Sequence, residues 1–183
     1  NPNYIGVSVI EFDKNDEFKV LHKEVFDLTL LTKPSGESTK HKKSKYYTNK
    51  LKHETLVIAH RINKLVDYWK CSKLAIEDLS IKPKDQKKGK SINRLCNNKW
   101  ERSLFVNKLK MLAGIHRYEL VEVNPAYSSI VGNFAYGSPT TPDMVAASIE
   151  IARRAYKKFE KGWFYPRFNI SHINERWKQT LCG

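Results

Sequence analysis

Lys73-Leu-Ala-Ile-Glu-Asp-Leu-Ser80 is the stretch on which the fold reading turns. Leu74, Ala75 and Ile76 form a short apolar run of the kind buried inside a sheet, and the run stops at an acid, Glu77. His53 to Lys70 precedes it, with Leu56, Ala59, Ile62, Leu65, Val66 and Trp69 at helical spacing. Trp100 to Ala113 follows with a second helical pattern on Trp100, Leu104, Leu109 and Leu112, for which Gly114 offers a C-cap. Tyr118 to Val123 then reads as another strand, stopped by Asn124-Pro125.

The flanks complete the pattern. Tyr4 to Phe12 alternates and is rich in β-branched residues. Asp13-Lys-Asn-Asp16 is a turn signal, and Phe18 to Leu31 supplies one or two further strands for an antiparallel hairpin ended by Lys33-Pro-Ser-Gly36. Ser128 to Thr141, with Gly132, Gly137 and Pro139, reads as a loop. A last helix is predicted from about Pro142 to Phe159, with Thr141 as N-cap and Pro142 at the first helical position. Hairpin, helix, strand, helix, strand, helix is the order of an α/β mixed sheet with helices on its faces. The chain reads as one domain over 1–183, with a basic insertion at about 33–52 and an aromatic, basic tail from about 162.

Composition narrows the partners. The 183 residues carry 33 Lys and Arg against 19 Asp and Glu, a formal charge of +14. Such a balance favours a polyanion through phosphate neutralisation and counterion release, so DNA or RNA is the expected partner. No apolar run reaches the roughly 20 residues of a membrane span, and no leader is visible; a cytoplasmic protein is expected. Cys71, Cys96 and Cys182 are far apart, with no Cys-x-x-Cys pair, so no zinc is expected and a reducing compartment fits. Lys82, Lys84, Lys87, Lys88, Lys90 and Arg94 lie in a basic loop. Lys42, Lys43 and Lys45 lie in the basic run from Lys40 to Lys52, which reads as a solvated loop. These are the candidate contacts to backbone phosphates.

Two acids stand out. Glu77 sits at the carboxyl end of a buried strand, where open α/β sheets place ligands. Asp143, in Thr141-Pro-Asp-Met-Val-Ala-Ala-Ser148, is the one Asp after Asp85. An acid in a first helical turn also stabilises the helix dipole, so its position has a purely structural reading too. Glu150, seven residues on, shares roughly the same face. Carboxylate oxygens suit Mg²⁺ or Mn²⁺. A pair of such ions can stabilise the attacking and leaving oxygens of a phosphodiester.

Ile76-Glu77-Asp78-Leu79, then Asn124-Pro-Ala-Tyr-Ser-Ser129, then Asp143 followed by Ala146-Ala147 resemble, in that order and spacing, the RuvC-like nuclease domain of the TnpB family. Its members are transposon-encoded RNA-guided nucleases related to type V CRISPR effectors. The likeness covers roughly residues 1–160. It implies an RNase H-like fold, with Glu77 and Asp143 as catalytic metal ligands for Mg²⁺ or Mn²⁺, DNA as substrate and a guide RNA as possible partner. The chain departs from the family twice. The family's first Asp and its strand are not among residues 1–183, so that ligand is expected upstream. The zinc ribbon commonly found between the Asn-Pro motif and the third acid is replaced by a stretch without Cys. The alternatives are a nuclease-derived nucleic-acid-binding regulator without cleavage, and a Holliday-junction resolvase-like enzyme.

Overall fold

A computed structural model describes residues 4–28, 42–78 and 102–156. Its elements are β1 (Tyr4–Phe12), β2 (Phe18–Asp27), α1 (Lys42–Tyr68), β3 (Lys73–Glu77), α2 (Arg102–His116), β4 (Glu119–Val123), α3 (Ser128–Tyr136) and α4 (Asp143–Tyr156). The chain is therefore mixed α/β. The described strands form two small sheets, the antiparallel pair β1–β2 and the parallel pair β3–β4, in place of the one mixed sheet expected. The helix α2 makes the crossover that a parallel pair needs. The described residues gather into two compact units.

The first unit contains described residues 4–5, 26–28, 42–74 and 102–120. Its frame is α1 against α2. The buried stripe of α1 is Thr55, Ile58, Ala59, Ile62, Asn63 and Val66, at steps of three and four residues. It is rotated from the predicted face: Leu56 and Leu65 are only half-buried. The stripe includes two polar residues, and both have partners. The Thr55 hydroxyl donates to the Leu51 carbonyl (2.7 Å). Tyr118 Oη donates to Asn63 Oδ1 (3.0 Å), and Asn63 Nδ2 donates to Asp67 (3.0 Å). From α2 come Phe105, Leu109, Leu112 and Ala113. Trp100, expected in this core, lies outside the described residues, as do the aromatics of the tail.

Two helix ends differ from the sequence reading. The basic run expected as a loop is helical from Lys42, so α1 is longer than predicted. It closes on Lys70 in the left-handed region (φ 50°), with Lys70 N–H on Asp67 O (3.2 Å) and Cys71 N–H on Val66 O (2.9 Å). That is the Schellman arrangement, here with lysine where glycine is usual. Cys71 packs at this helix end against Val66, Ala113 and Tyr118, as expected, and burial pushes its thiol pKa up. Gly114 does not cap α2, which continues to His116, with Arg117 taking the left-handed position (φ 61°). The extra turn is held by His116 Nδ1, 3.0 Å from Asp67 on α1.

The second unit contains described residues 6–25, 75–78 and 121–156. Its hairpin turn is fixed by Asp13, whose carboxylate accepts the N–H groups of Asn15 and Glu17 at 2.8 and 2.9 Å. The stretch 128–136, expected as loop, is helix α3. The apolar faces of Val131 and Gly132 explain this, because they pack on α4. Gly132 and Gly6 let α4 come close to two different neighbours. A Cβ at Gly132 would collide with the Ala146 carbonyl, and one at Gly6 with the Met144 carbonyl. Ser148 is hydrogen-bonded to Ser8 at 2.9 Å. At the far end of α4, Ile151 and Ala155 cluster with Val123, Ala75 and Val121. The helix thus covers both β1 and the β3–β4 pair. Among the described residues no helix is long and apolar enough to cross a membrane.

The close approach yields a paired prediction. Gly132→Ala should destabilise by about 2 kcal/mol or more, because its clash is with backbone. Gly114→Ala, on an open helix surface with nothing within 4 Å of its added Cβ, should stabilise by about 0.5–1 kcal/mol. Denaturant melts of the two variants check both signs.

Candidate functional site

Glu77 closes β3 and is half-buried. The ladder runs one residue further, because Asp78 N–H donates to Val123 O at 2.7 Å. This bond ties the end of β3 to the end of β4, where the chain enters Asn124-Pro125-Ala126-Tyr127. Pro125 cannot continue the strand. Asn124 Oδ1 accepts the Ala126 N–H at 2.9 Å and turns the backbone. Tyr127 then adopts φ 59° and leads into α3 through the buried Ser128.

The turn is held from α4. Arg154 Nη1 donates to the carbonyls of Asn124 (2.8 Å) and Ala126 (2.9 Å), and its Nε donates to Glu150 Oε1 (2.8 Å). Glu150 is fully buried. Arg153 grips the same carboxylate with Nε on Oε2 and Nη2 on Oε1, each at 2.9 Å. Taking an ionised carboxylate out of water costs several kcal/mol and is sustainable only with such partners. Three guanidinium hydrogen bonds, each worth roughly 1.5–3 kcal/mol, supply them. Burial opposes the charge on Arg153, but the hydrogen bond and charge of Glu150 outweigh it and raise its pKa. Tyr136, 3.5 Å from Glu150, is pushed up from 10.0 to about 12, first by burial and then by that negative charge. Glu150 is therefore the counter-ion of a structural clamp and has no oxygen to spare for a metal ion.

Asp143 opens α4 and is exposed. The first helical bonds run from Val145 and Ala146 N–H to Pro142 O. Thr141 is not the cap predicted for it. Its buried hydroxyl accepts the Lys23 ammonium at 2.6 Å, which leaves Pro142 at the cap position. Glu77 and Asp143 both belong to the second unit. Among the described residues no three His, Cys, Asp or Glu side chains gather to hold a metal ion. The pair offers two hard oxygen ligands. That donor set fits Mg²⁺, which commonly takes one or two carboxylates and keeps several waters.

Of the candidate phosphate contacts, Lys42, Lys43 and Lys45 fall in the first turns of α1. Lys82, Lys84, Lys87, Lys88, Lys90 and Arg94 lie outside the described residues. Sequence reasoning missed Arg154, although a signal was present. Glu150 and Arg154 sit four apart on the same stripe as Ala147 and Ile151, which places an ion pair on the apolar face of α4. Comparison with family models, curated proteins and solved structures gave no match.

Two outcomes follow from the clamp. Arg154→Leu leaves Glu150 underpaired in the interior and should cost about 3–5 kcal/mol, whereas Glu150→Leu combined with Arg154→Leu should cost less; chemical denaturation of both variants decides this. Spectrophotometric titration should find one tyrosine ionising near pH 12. The pKa of Tyr136 is raised on folding, so its contribution is intact below pH 10. Stability should fall between pH 10 and 12, as the unfolded chain releases this proton first.

Proposed function

We propose that the chain is the RuvC-like domain of a metal-dependent DNA endonuclease akin to the TnpB family, on an RNase H-like α/β scaffold. The observation that carries this reading is a juxtaposition within one compact unit. A buried strand ends in Glu77, the neighbouring strand ends in the Asn124–Ser129 turn, and the helix that clamps this turn begins at Asp143. Each of β1 and β3 has a single hydrogen-bonded neighbour, and the reading needs an unpaired edge on both for the family's first strand.

On this reading Glu77 and Asp143 hold a divalent ion, Mg²⁺ or Mn²⁺. When bound, the ion activates water toward a phosphodiester and neutralises charge on the leaving oxygen. The half-buried setting of Glu77 limits its motion, and exposed Asp143 is open to the substrate side. The +14 charge draws the DNA backbone in without reading sequence. Where a guide RNA takes part, base pairing reads the target.

Cleavage of single- and double-stranded DNA by the full-length protein, with any bound RNA retained, tests the reading. Glu77→Gln should lower metal-dependent cleavage at least about a hundredfold, the scale of losses even from groups behind a metal ligand. DNA binding should be kept, because the change removes a negative charge. Undiminished cleavage would overturn the role of Glu77. Binding without cutting by the unaltered protein would favour a nucleic-acid-binding regulator.

A further inference from the structure

The clamp fixes more of the turn than a strand connection needs. Arg154 fixes the carbonyls of Asn124 and Ala126, and the Asn124 side chain fixes the Ala126 N–H. Ser128 (2 % exposed) and Val131 (3 %) anchor the chain immediately beyond. Between these anchors stands Tyr127, 60 % exposed and in the left-handed region. A residue with a bulky side chain is disfavoured there, and such strain persists only where the surroundings impose it. Other exposed tyrosines have ring partners that account for them. Tyr156 stacks on Phe12 at 3.6 Å, and Tyr68 packs edge-on against Trp69 at 5.3 Å.

The position of Tyr127 gives its ring a chemical context. It follows the turn joined to β3 through the Asp78–Val123 bond, one residue past Glu77. A ring on a rigid backbone binds a flat partner with little loss of freedom. In a chain of charge +14, the partner with both a π-face and negative charge is a nucleic acid strand. We infer that Tyr127 is a stacking platform for an unpaired base of the strand led past Glu77. The inference rests on the nuclease reading for its ligand, but it needs no cleavage.

The test is a double-mutant cycle on the full-length protein in EDTA, so that cutting plays no part. The affinity of a single-stranded thymine homopolymer is compared with that of an abasic strand of equal length, for the unaltered protein and for Tyr127→Leu, Tyr127→Phe and Tyr127→Gly. Base–aromatic stacking predicts that the unaltered protein prefers the thymine strand by a factor about five to a hundred times larger than Tyr127→Leu does. Tyr127→Phe should keep the preference. Tyr127→Gly should lose it while its melting temperature holds or rises, because glycine relieves the left-handed strain. An equal preference in the unaltered protein and Tyr127→Leu, or no binding of the thymine strand, would overturn the inference. The nuclease reading is judged separately, by the Glu77 variant.

Discussion

A carboxylate with no access to water organises the second unit. Glu150 is affordable inside α4 only because Arg153 and Arg154 surround it, and Arg154 has reach left over for two carbonyls of the Asn124 turn. Remove either charge and the other is stranded in the interior. This one ion cluster therefore couples the helix that starts at Asp143 to the turn that ends β4. Through Asp78 and Val123 it also couples that helix to the strand ending at Glu77. The two glycines that let α4 sit against α3 and β1 serve the same geometry at its other end.

The candidate site inherits its character from this coupling. Its two acids differ in setting: one half-buried at a strand end, the other exposed at a helix start. Hard oxygen ligands in such positions can share an ion without being buried as a bare pair of like charges. The third acid on this helix is neutralised, so the acids available to a cation are those the arginines leave alone. The exposed ring of Tyr127 and the chain's large positive charge give the same surface a preference for a flat, anionic ligand.

Much of the scaffold was legible in the sequence. The alternation of Tyr4 to Phe12, the Asp13 turn, the apolar run into Glu77 and the periodicity of the helices each carry a local signal, and the structure has those elements. What was missed depends on tertiary partners. Gly114 looked like a helix stop, but His116 finds Asp67 and the helix goes on to Arg117. Thr141 looked like a cap, but Lys23, distant in sequence, takes its hydroxyl. The stretch after Ser128 is glycine-bearing and loop-like by composition, yet Gly132 is what allows a helix to lie against α4. In the site, Glu77 and Asp143 could be singled out from position alone. Arg154 required knowing that its stripe of α4 faces inward.

The central claim is that Glu77 and Asp143 serve one divalent ion. Adding substoichiometric Mn²⁺ to the isotopically labelled protein and recording amide line broadening tests it most directly, independently of any cleavage. The account predicts that the amides of Glu77 and Asp78 broaden together with those of Asp143 and Met144, and that Asp143→Asn weakens both effects. Broadening confined to one of the two segments, or spread evenly over the acidic surface, would contradict it.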